Sequence, residues 1–311
     1  MRAESAGRGQ ADQAQGGPDV DGLLSGQSGI VVGPRARSRA RALDVLDDLA
    51  LWSRLTPPRL ARSARRAAAG EVLVLGLYGP DCASLMERSV AELRRSERRV
   101  RIALGSLDEH VPALASDTVA EGLRGAGKFQ NLNALLKRAE PEDADWVLVV
   151  DDDVELPRGF LDRLLFLAEG FGLQLTQPAL RRTSHAAWPV CRRERGTLAR
   201  VTRLVEIGPV TAFHRSLAPE LLPFPPLRMG WGLDLHWGGL ALERGWKLGI
   251  VDAVPVRHEA RVTATGYDRA QAIEELSGFL AGRPHIDRRT AMQVVERYRR
   301  LPSLRQAPPQ V

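Results

Sequence analysis

Three consecutive carboxylates, Asp151, Asp152 and Asp153, follow directly on an apolar run, 147–150, in the stretch DWVLVVDDDVELPRGF (145–160). Adjacent carboxylates repel, and their pKa values rise unless something positive lies among them. Ligands of open α/β sheets bind at the carboxyl ends of strands. An acidic cluster at the end of a buried strand is therefore read as a metal or substrate site in preference to a solvated turn. Asp151 and Asp153 are spaced as DxD, which suits a hard divalent cation. Magnesium is typically held by one or two carboxylates together with substrate phosphates and water. Such a turn lets the outer two carboxylates face one side, while Asp152 accepts hydrogen bonds elsewhere.

A second constellation, GAGKFQNLNALLKRA (125–139), lies just upstream. The chain uses arginine for its basic residues almost throughout; only Lys128, Lys137 and Lys247 are lysines among 44 Lys and Arg. Glycines before a helix that opens with Lys128 supply N–H donors and a compact point charge, both suited to a phosphate. Two rival readings of VLVVDDD lose ground. A phospho-acceptor receiver domain needs a further Asp some tens of residues on, and none occurs between Asp162 and Asp234. A phosphatase of the haloacid dehalogenase type carries its DxD at the first strand, whereas here two strand–helix units precede it.

The elements that must position these groups alternate from residue 71. EVLVLGLYG reads as a buried strand, ASLMERSVAELRRS as an amphipathic helix, RRVRIALGS as a strand and KFQNLNALLKRAE as a helix. DWVLVV is the next strand, and PRGFLDRLLFLAEG is a helix with Pro157 near its first turn and Gly170 near its stop. That order predicts an α/β protein with a parallel sheet and crossover helices. LQLTQPAL and VEIGPVTAFH read as shorter strands, DLHWGGLALERG as a helix and KLGIVDAVPVRH as a strand. The cluster CRRERGTLARVTR (191–203) reads as a solvated basic loop.

Composition bounds the partners. The net charge is +6, and residues 1–70, with eleven Arg and seven Asp or Glu, supply +4 of it. The remainder is close to neutral, which argues against a nucleic-acid groove. Two cysteines, Cys82 and Cys191, lack the spacing of a zinc site or a disulfide framework, though one disulfide between them stays open. No apolar run approaches the length of a membrane span, so a cytoplasmic location is the default expectation, with peripheral membrane contact through the Arg-rich leader left open. The expected division is a disordered basic leader (1–40), a helical lead-in (41–70), an α/β domain (71–267) and a helical tail (268–311).

Taken together, GKFQNLNALLKRA, DWVLVVDDDVELPRGFLDRLL and GWGLDLHWGGLALERGWKLGIVDAVPVRHE (230–259) resemble the core of GT-A fold glycosyltransferases, particularly the family 2 group. The resemblance implies a Rossmann-like, mostly parallel central sheet with flanking helices, and makes 71–267 a catalytic domain in which about 71–157 would bind nucleotide and about 158–267 the acceptor. It implies a UDP-, GDP- or dTDP-linked sugar as donor, and a glycan, a lipid-linked molecule or a small molecule as acceptor. It further implies that Tyr78, Asp81 and Asp108 line the base and ribose, and that Lys128 reaches the donor diphosphate. Asn133 would hold the adjoining turn, and Asp151 and Asp152 would face the nucleotide. Asp151, Asp153 and His258 would hold Mg²⁺ or Mn²⁺. Asp234 would take the proton from the acceptor hydroxyl, with inversion at the anomeric carbon, and Glu206 or Glu259 is next in line for that role. Two other classes stay open: a GT-A-like scaffold that binds without turnover, and a nucleotidyl or phosphoryl transferase using the same strand end. His185, His214 and His236 are expected to be structural. Trp231 and Trp237 are divided evenly between sugar stacking and core packing.

Overall fold

The computed structural model describes residues 31, 33–259 and 269–303. Two helices open it, α1 (Pro34–Trp52) and α2 (Thr56–Ala67), so the segment 34–40 is the start of a helix and TPPRLARSARRA is a second one. Residues 1–30 and 32 of the expected leader lie outside the described residues. Both helices begin with proline in their first turn, where its missing N–H costs nothing.

A strand–helix alternation follows: β1 (Glu71–Tyr78), α3 (Ala83–Leu93), β2 (Arg99–Ser106), β3 (Thr118–Ala120), α4 (Lys128–Ala139), β4 (Trp146–Asp151), the short β5 (Val154–Glu155) and α5 (Phe160–Phe171). Helix α5 runs one residue past Gly170, which sits inside it against Pro302. Strand β1 is buried almost from end to end, as a strand covered on both faces must be. It pairs in parallel with β2 and β4, bringing Leu77 opposite Asp151.

The second half comprises β6 (Leu175–Leu180), β7 (Ala199–Thr202), β8 (Val210–His214), a short α6 (Ala218–Leu221), α7 (Leu233–Arg244) and β9 (Leu248–His258). The main sheet runs β10-β7-β9-β6-β8-β4-β1-β2-β3, where β10 is Val294–Tyr298. Strands β7 and β8 run against the other seven, so the sheet is mostly parallel. Helix α4 lies against β1 and β2, while α5 lies against β9 and α2. The tail is helical at α8 (Arg269–Leu280) and α9 (Arg288–Ala291) and then contributes β10, an edge strand on β7.

The cluster 191–203 corrects its expectation. It holds β7, and Arg193 and Arg200 are only 4% and 3% exposed. Arg200 pairs with the fully buried Asp252 of β9 through Nε at 2.8 Å and Nη2 at 3.0 Å. Thr197 and the Glu194 amide donate to the same carboxylate. An arginine can be interior when its fork is fully bonded, and no composition count shows which arginine will be. Cys82 and Cys191 are both buried, and no disulfide joins them. Among the described residues no helix is long and apolar enough to cross a membrane.

Candidate active site

Strand β4 delivers the three carboxylates to one end of the sheet, and each has a different partner. Asp151 forms an ion pair with Lys128 Nζ at 2.5 Å, both side chains being about a quarter exposed. Lys128 reaches it because α4 starts right there, and its amide bonds to the Arg228 carbonyl at 3.1 Å. The Arg228 backbone passes directly over Gly127, where any side chain would collide. Gly208 plays the same part from the other side: a Cβ there would stand 2.9 Å from Asp151 Oδ2. The loop before β8 is thereby pressed onto the acidic strand end.

Asp152 turns the other way and accepts the Gly79 amide at 2.9 Å, which ties the loop after β1 to the site. Burial pushes its pKa up to about 6, against the pull of that hydrogen bond, and the charges of Asp151 and Asp153 add to the rise. Asp153 Oδ2 lies 3.0 Å from His258 Nε2 at the end of β9, each side chain being 15% exposed. β5 pairs with β9 and aligns Val154 with His258, which is how the two meet from 105 residues apart. Burial works against the charged imidazole, but the hydrogen bond and charge of Asp153 outweigh it and raise the His258 pKa. His258 Nδ1 is buried with no hydrogen-bond partner, and so is Nδ1 of His185, whose ring meets that of His258 edge-on.

Behind this end lie two buried carboxylates. Asp234 stands in the first turn of α7, whose cap is Gly232 rather than Asp234 itself. Its Oδ2 accepts the Trp188 indole N–H at 2.7 Å and its Oδ1 the Leu235 amide at 2.9 Å. Burial nonetheless raises its pKa to about 6. Glu206, in the loop between β7 and β8, accepts the Ala187 amide at 3.0 Å through Oε1, while its buried Oε2 has no partner. Burial pushes Glu206 up to about 7, the charge of Asp234 adds to the rise, and that of His258 opposes it.

The remaining expected residues are placed differently. Tyr78 is completely buried, with its hydroxyl 2.9 Å from Thr118 Oγ1. Asn133 clamps the Phe224 backbone through both ends of its amide, at 2.7 and 2.8 Å, and so holds the proline-rich segment rather than the strand end. Asp81 is exposed after β1. Asp108 forms a two-bond pair with Arg124, whose hydrogen bond lowers its pKa. The pair lines an open cavity of about 910 Å³ together with Leu107, His110 and Glu121. Glu259 follows His258, and its amide bonds to the Asp153 carbonyl. His236 bonds to the Pro284 carbonyl, and His214 lies edge-on to Trp146, both structural placements. Trp237 is a core residue packed on Phe213, whereas Trp231 is only partly buried.

Trp188 and Ser184 were invisible as site residues. Trp188 holds Asp234, and the Ser184 hydroxyl accepts the His258 amide at 3.1 Å. Their loop, RTSHAAWP, has no motif spacing that marks it. Glu206 left a faint signal as a lone carboxylate in the apolar run RLVEIGPV.

Asp153 and His258 offer one oxygen and one nitrogen 3.0 Å apart. Among the described residues no group of three or more His, Cys, Asp or Glu side chains is placed to hold a cation. A cation at this strand end would therefore draw most of its ligands from substrate oxygens and water, which fits the habits of Mg²⁺ and Mn²⁺. The residues present fit such an ion as a partner of a bound phosphate, not as a self-contained protein site.

No protein-family model matches the chain, and no curated protein matches it. Among solved structures, it is similar to GalNAc-T7 bound to UDP, GalNAc and Mn²⁺, at 12% identity and a TM-score of 0.49, over 78% of this chain and 55% of that one. It is also similar to residues 1–349 of TarS from S. aureus with UDP-GlcNAc (12%, TM-score 0.48, 67% of this chain and 64% of that one). A third is the mannosyltransferase PcManGT from Pyrobaculum calidifontis with GDP-Man and Mn²⁺ (16%, TM-score 0.41, 70% and 68%). The chain thus spans just over half the length of the first and under two thirds of the second. At these scores the likenesses place no residue.

Proposed function

We propose that the protein transfers a glycosyl group from a nucleoside-diphosphate sugar to an acceptor hydroxyl, aided by Mg²⁺ or Mn²⁺. The observation that carries this reading is the meeting, at one strand end, of a lysine–carboxylate pair and a carboxylate–imidazole pair, backed by a buried carboxylate of raised pKa. Lys128 would turn from Asp151 toward the diphosphate as a point charge. Asp153 and His258 would hold the cation, which supplies positive charge opposite the leaving diphosphate. Asp234 would accept the proton of the acceptor hydroxyl as its oxygen bonds to the anomeric carbon. The anomeric carbon–phosphate oxygen bond breaks in the same step, and its electron pair leaves with the nucleoside diphosphate. Such a single displacement inverts the anomeric centre. Glu206 is the alternative base, favoured by its unpartnered Oε2.

The test is a thermal-shift screen of UDP-, GDP-, dTDP- and CDP-sugars with and without Mn²⁺, since a ligand of the native state must raise apparent stability. One donor class should raise the melting temperature in a Mn²⁺-dependent way. Asp153→Ala and His258→Ala should each abolish the metal-dependent part while the fold survives. Wild-type shifts in both variants would remove the metal assignment. A shift without any sugar transfer or donor hydrolysis would leave a binding scaffold.

A further inference from the structure

Helix α1 is packed inside out. A surface helix normally turns its apolar stripe to the core and its charges to water. Here Asp44 and Asp47 are 6% and 1% exposed, whereas Val45, Leu46, Leu49 and Trp52 are 56%, 49%, 56% and 54% exposed. At about 100° per residue, Val45, Leu49 and Trp52 fall in one line, with Leu46 beside it and the buried Asp44, Asp47 and Leu51 opposite.

The inward carboxylates explain the inversion. Asp47 binds Arg182 at 3.0 Å and Arg195 at 2.5 Å, Asp48 binds Arg193 at 2.6 Å and Arg181 at 3.2 Å, and Asp44 accepts the Arg182 amide. All three acids of α1 are thus engaged with the 181–195 loop. The outward side of α1 keeps apolar side chains, Ser38 and exposed guanidinium groups, Arg35, Arg39 and Arg41 among them, and α2 adds exposed Arg59, Arg62 and Arg66 without any acid.

That combination selects its occupant. A second copy docked by a two-fold axis would set this patch against itself, arginines facing arginines. An aliphatic and tryptophan stripe rimmed by cations suits the boundary between anionic headgroups and acyl chains. We propose that the outward face of α1 docks the protein on an anionic lipid surface, Val45, Leu49 and Trp52 entering the headgroup boundary and Arg35, Arg39 and Arg41 meeting the phosphates. The loop that α1 grips also carries Trp188, the partner of Asp234. Docking therefore places the bilayer across α1 from the loop that carries Trp188, whichever donor the site takes.

The test is flotation of the full chain with phosphatidylcholine vesicles and with vesicles that also contain phosphatidylglycerol. The protein should float with the anionic vesicles alone and be released by added salt, because screening weakens the arginine contribution. Leu49→Gln/Trp52→Gln should lower partitioning by about tenfold or more, the worth of burying such side chains. Arg35→Gln/Arg39→Gln/Arg41→Gln should lower it by about fivefold per arginine. All five positions are exposed, so circular dichroism and melting temperature should stay at wild-type values. Failure of the wild type to float, or flotation unchanged in the Leu49/Trp52 variant, overturns the proposal. So does loss of binding on removal of residues 1–30 while the stripe variants still bind. A lipid-free dimer in sedimentation velocity that the stripe variant dissolves would assign the face to a second copy instead.

Discussion

The half of the sheet formed by β1 to β4 and the half formed by β6 to β10 are built from different interiors. In the first, WVLVVD of β4 is apolar until its last residue and the charge waits at the strand end, partly open to solvent, while the buried Arg98 finds Glu169 of α5 outside the strands. In the second, charge is taken into the strands themselves. Arg200 and Asp252 pair with almost no exposure, and Glu206 and Asp234 are buried carboxylates with raised pKa values. The first half resembles a rigid shelf on which a charged ligand can be set. The second holds its loops with directed hydrogen bonds and keeps proton-accepting groups dry. A half-exposed ion pair contributes little to stability, while breaking a buried one leaves a charge without water or partner. The strand-end pair Lys128–Asp151 and the strand-interior pair Arg200–Asp252 should therefore respond very differently to loss of a single charge.

The sharpest contrast is Asp252→Ala, which strands the Arg200 guanidinium in the interior. Urea unfolding should show a loss of roughly 3–5 kcal/mol. A loss below about 1 kcal/mol, the value for exposed pairs, would mean that water reaches Arg200 and that the halves do not differ as described.

Next is Asp234→Asn, which keeps the size and one acceptor oxygen, for Trp188, but gives up the bond from the Leu235 amide and removes the basic oxygen. Turnover should fall about 10²–10⁴-fold, with donor affinity intact because a base acts on the acceptor in the transition state. Turnover within about threefold of wild type would shift the role to Glu206, whose Gln variant should then show the loss.

The third test uses pH. In the folded protein Glu206 keeps its proton up to about 7, whereas an unperturbed glutamate releases it near 4.5. Across that window the folded state binds a proton that the unfolded state has lost. Stability therefore declines as pH rises from the lower value through the higher, by on the order of 3 kcal/mol in full. Glu206→Gln should flatten the decline, leaving the part due to Asp234 and Asp152, whose pKa values are both raised to about 6. Denaturation midpoints at about pH 5 and about pH 8 give the slope, and an equal slope in the variant would show that Glu206 is solvated.

The smallest effect on stability belongs to Lys128→Ala. Its pair with Asp151 is about a quarter exposed, so unfolding should change by less than about 1 kcal/mol while nucleotide binding weakens. A large loss of stability with unchanged binding would reverse the assignment and make Lys128 a structural residue.

The legible part of the molecule follows the same division. Apart from the short β3 and β5, which no pattern marked, the strands and helices between residues 71 and 171 match the apolar runs and helical periodicity that predict them, because there side-chain pattern and burial agree. What the sequence displays of the candidate site is the clustering of Asp151, Asp152 and Asp153 at a strand end and of Lys128 at a helix start. Tyr78 was read as lining the base and ribose, yet it is core, and Asn133, read as holding the turn beside Lys128, clamps the Phe224 backbone instead. Nothing in a residue's type says whether its polar atom is already used. β7 was hidden because its arginines look like solvent-facing charge until Asp252 is placed opposite Arg200.

By itself the sequence determined the alternation of strands and helices and the carboxylate cluster at the end of β4, because both rest on local pattern. Only the tertiary structure decided which carboxylate meets which cation. Asp153 finds His258 across 105 residues through the β5–β9 pairing, Lys128 takes Asp151, and the acids of α1 turn inward to arginines of the 181–195 loop. Charges choose partners by distance and burial in three dimensions, and neither quantity is written in the spacing of residues along a chain.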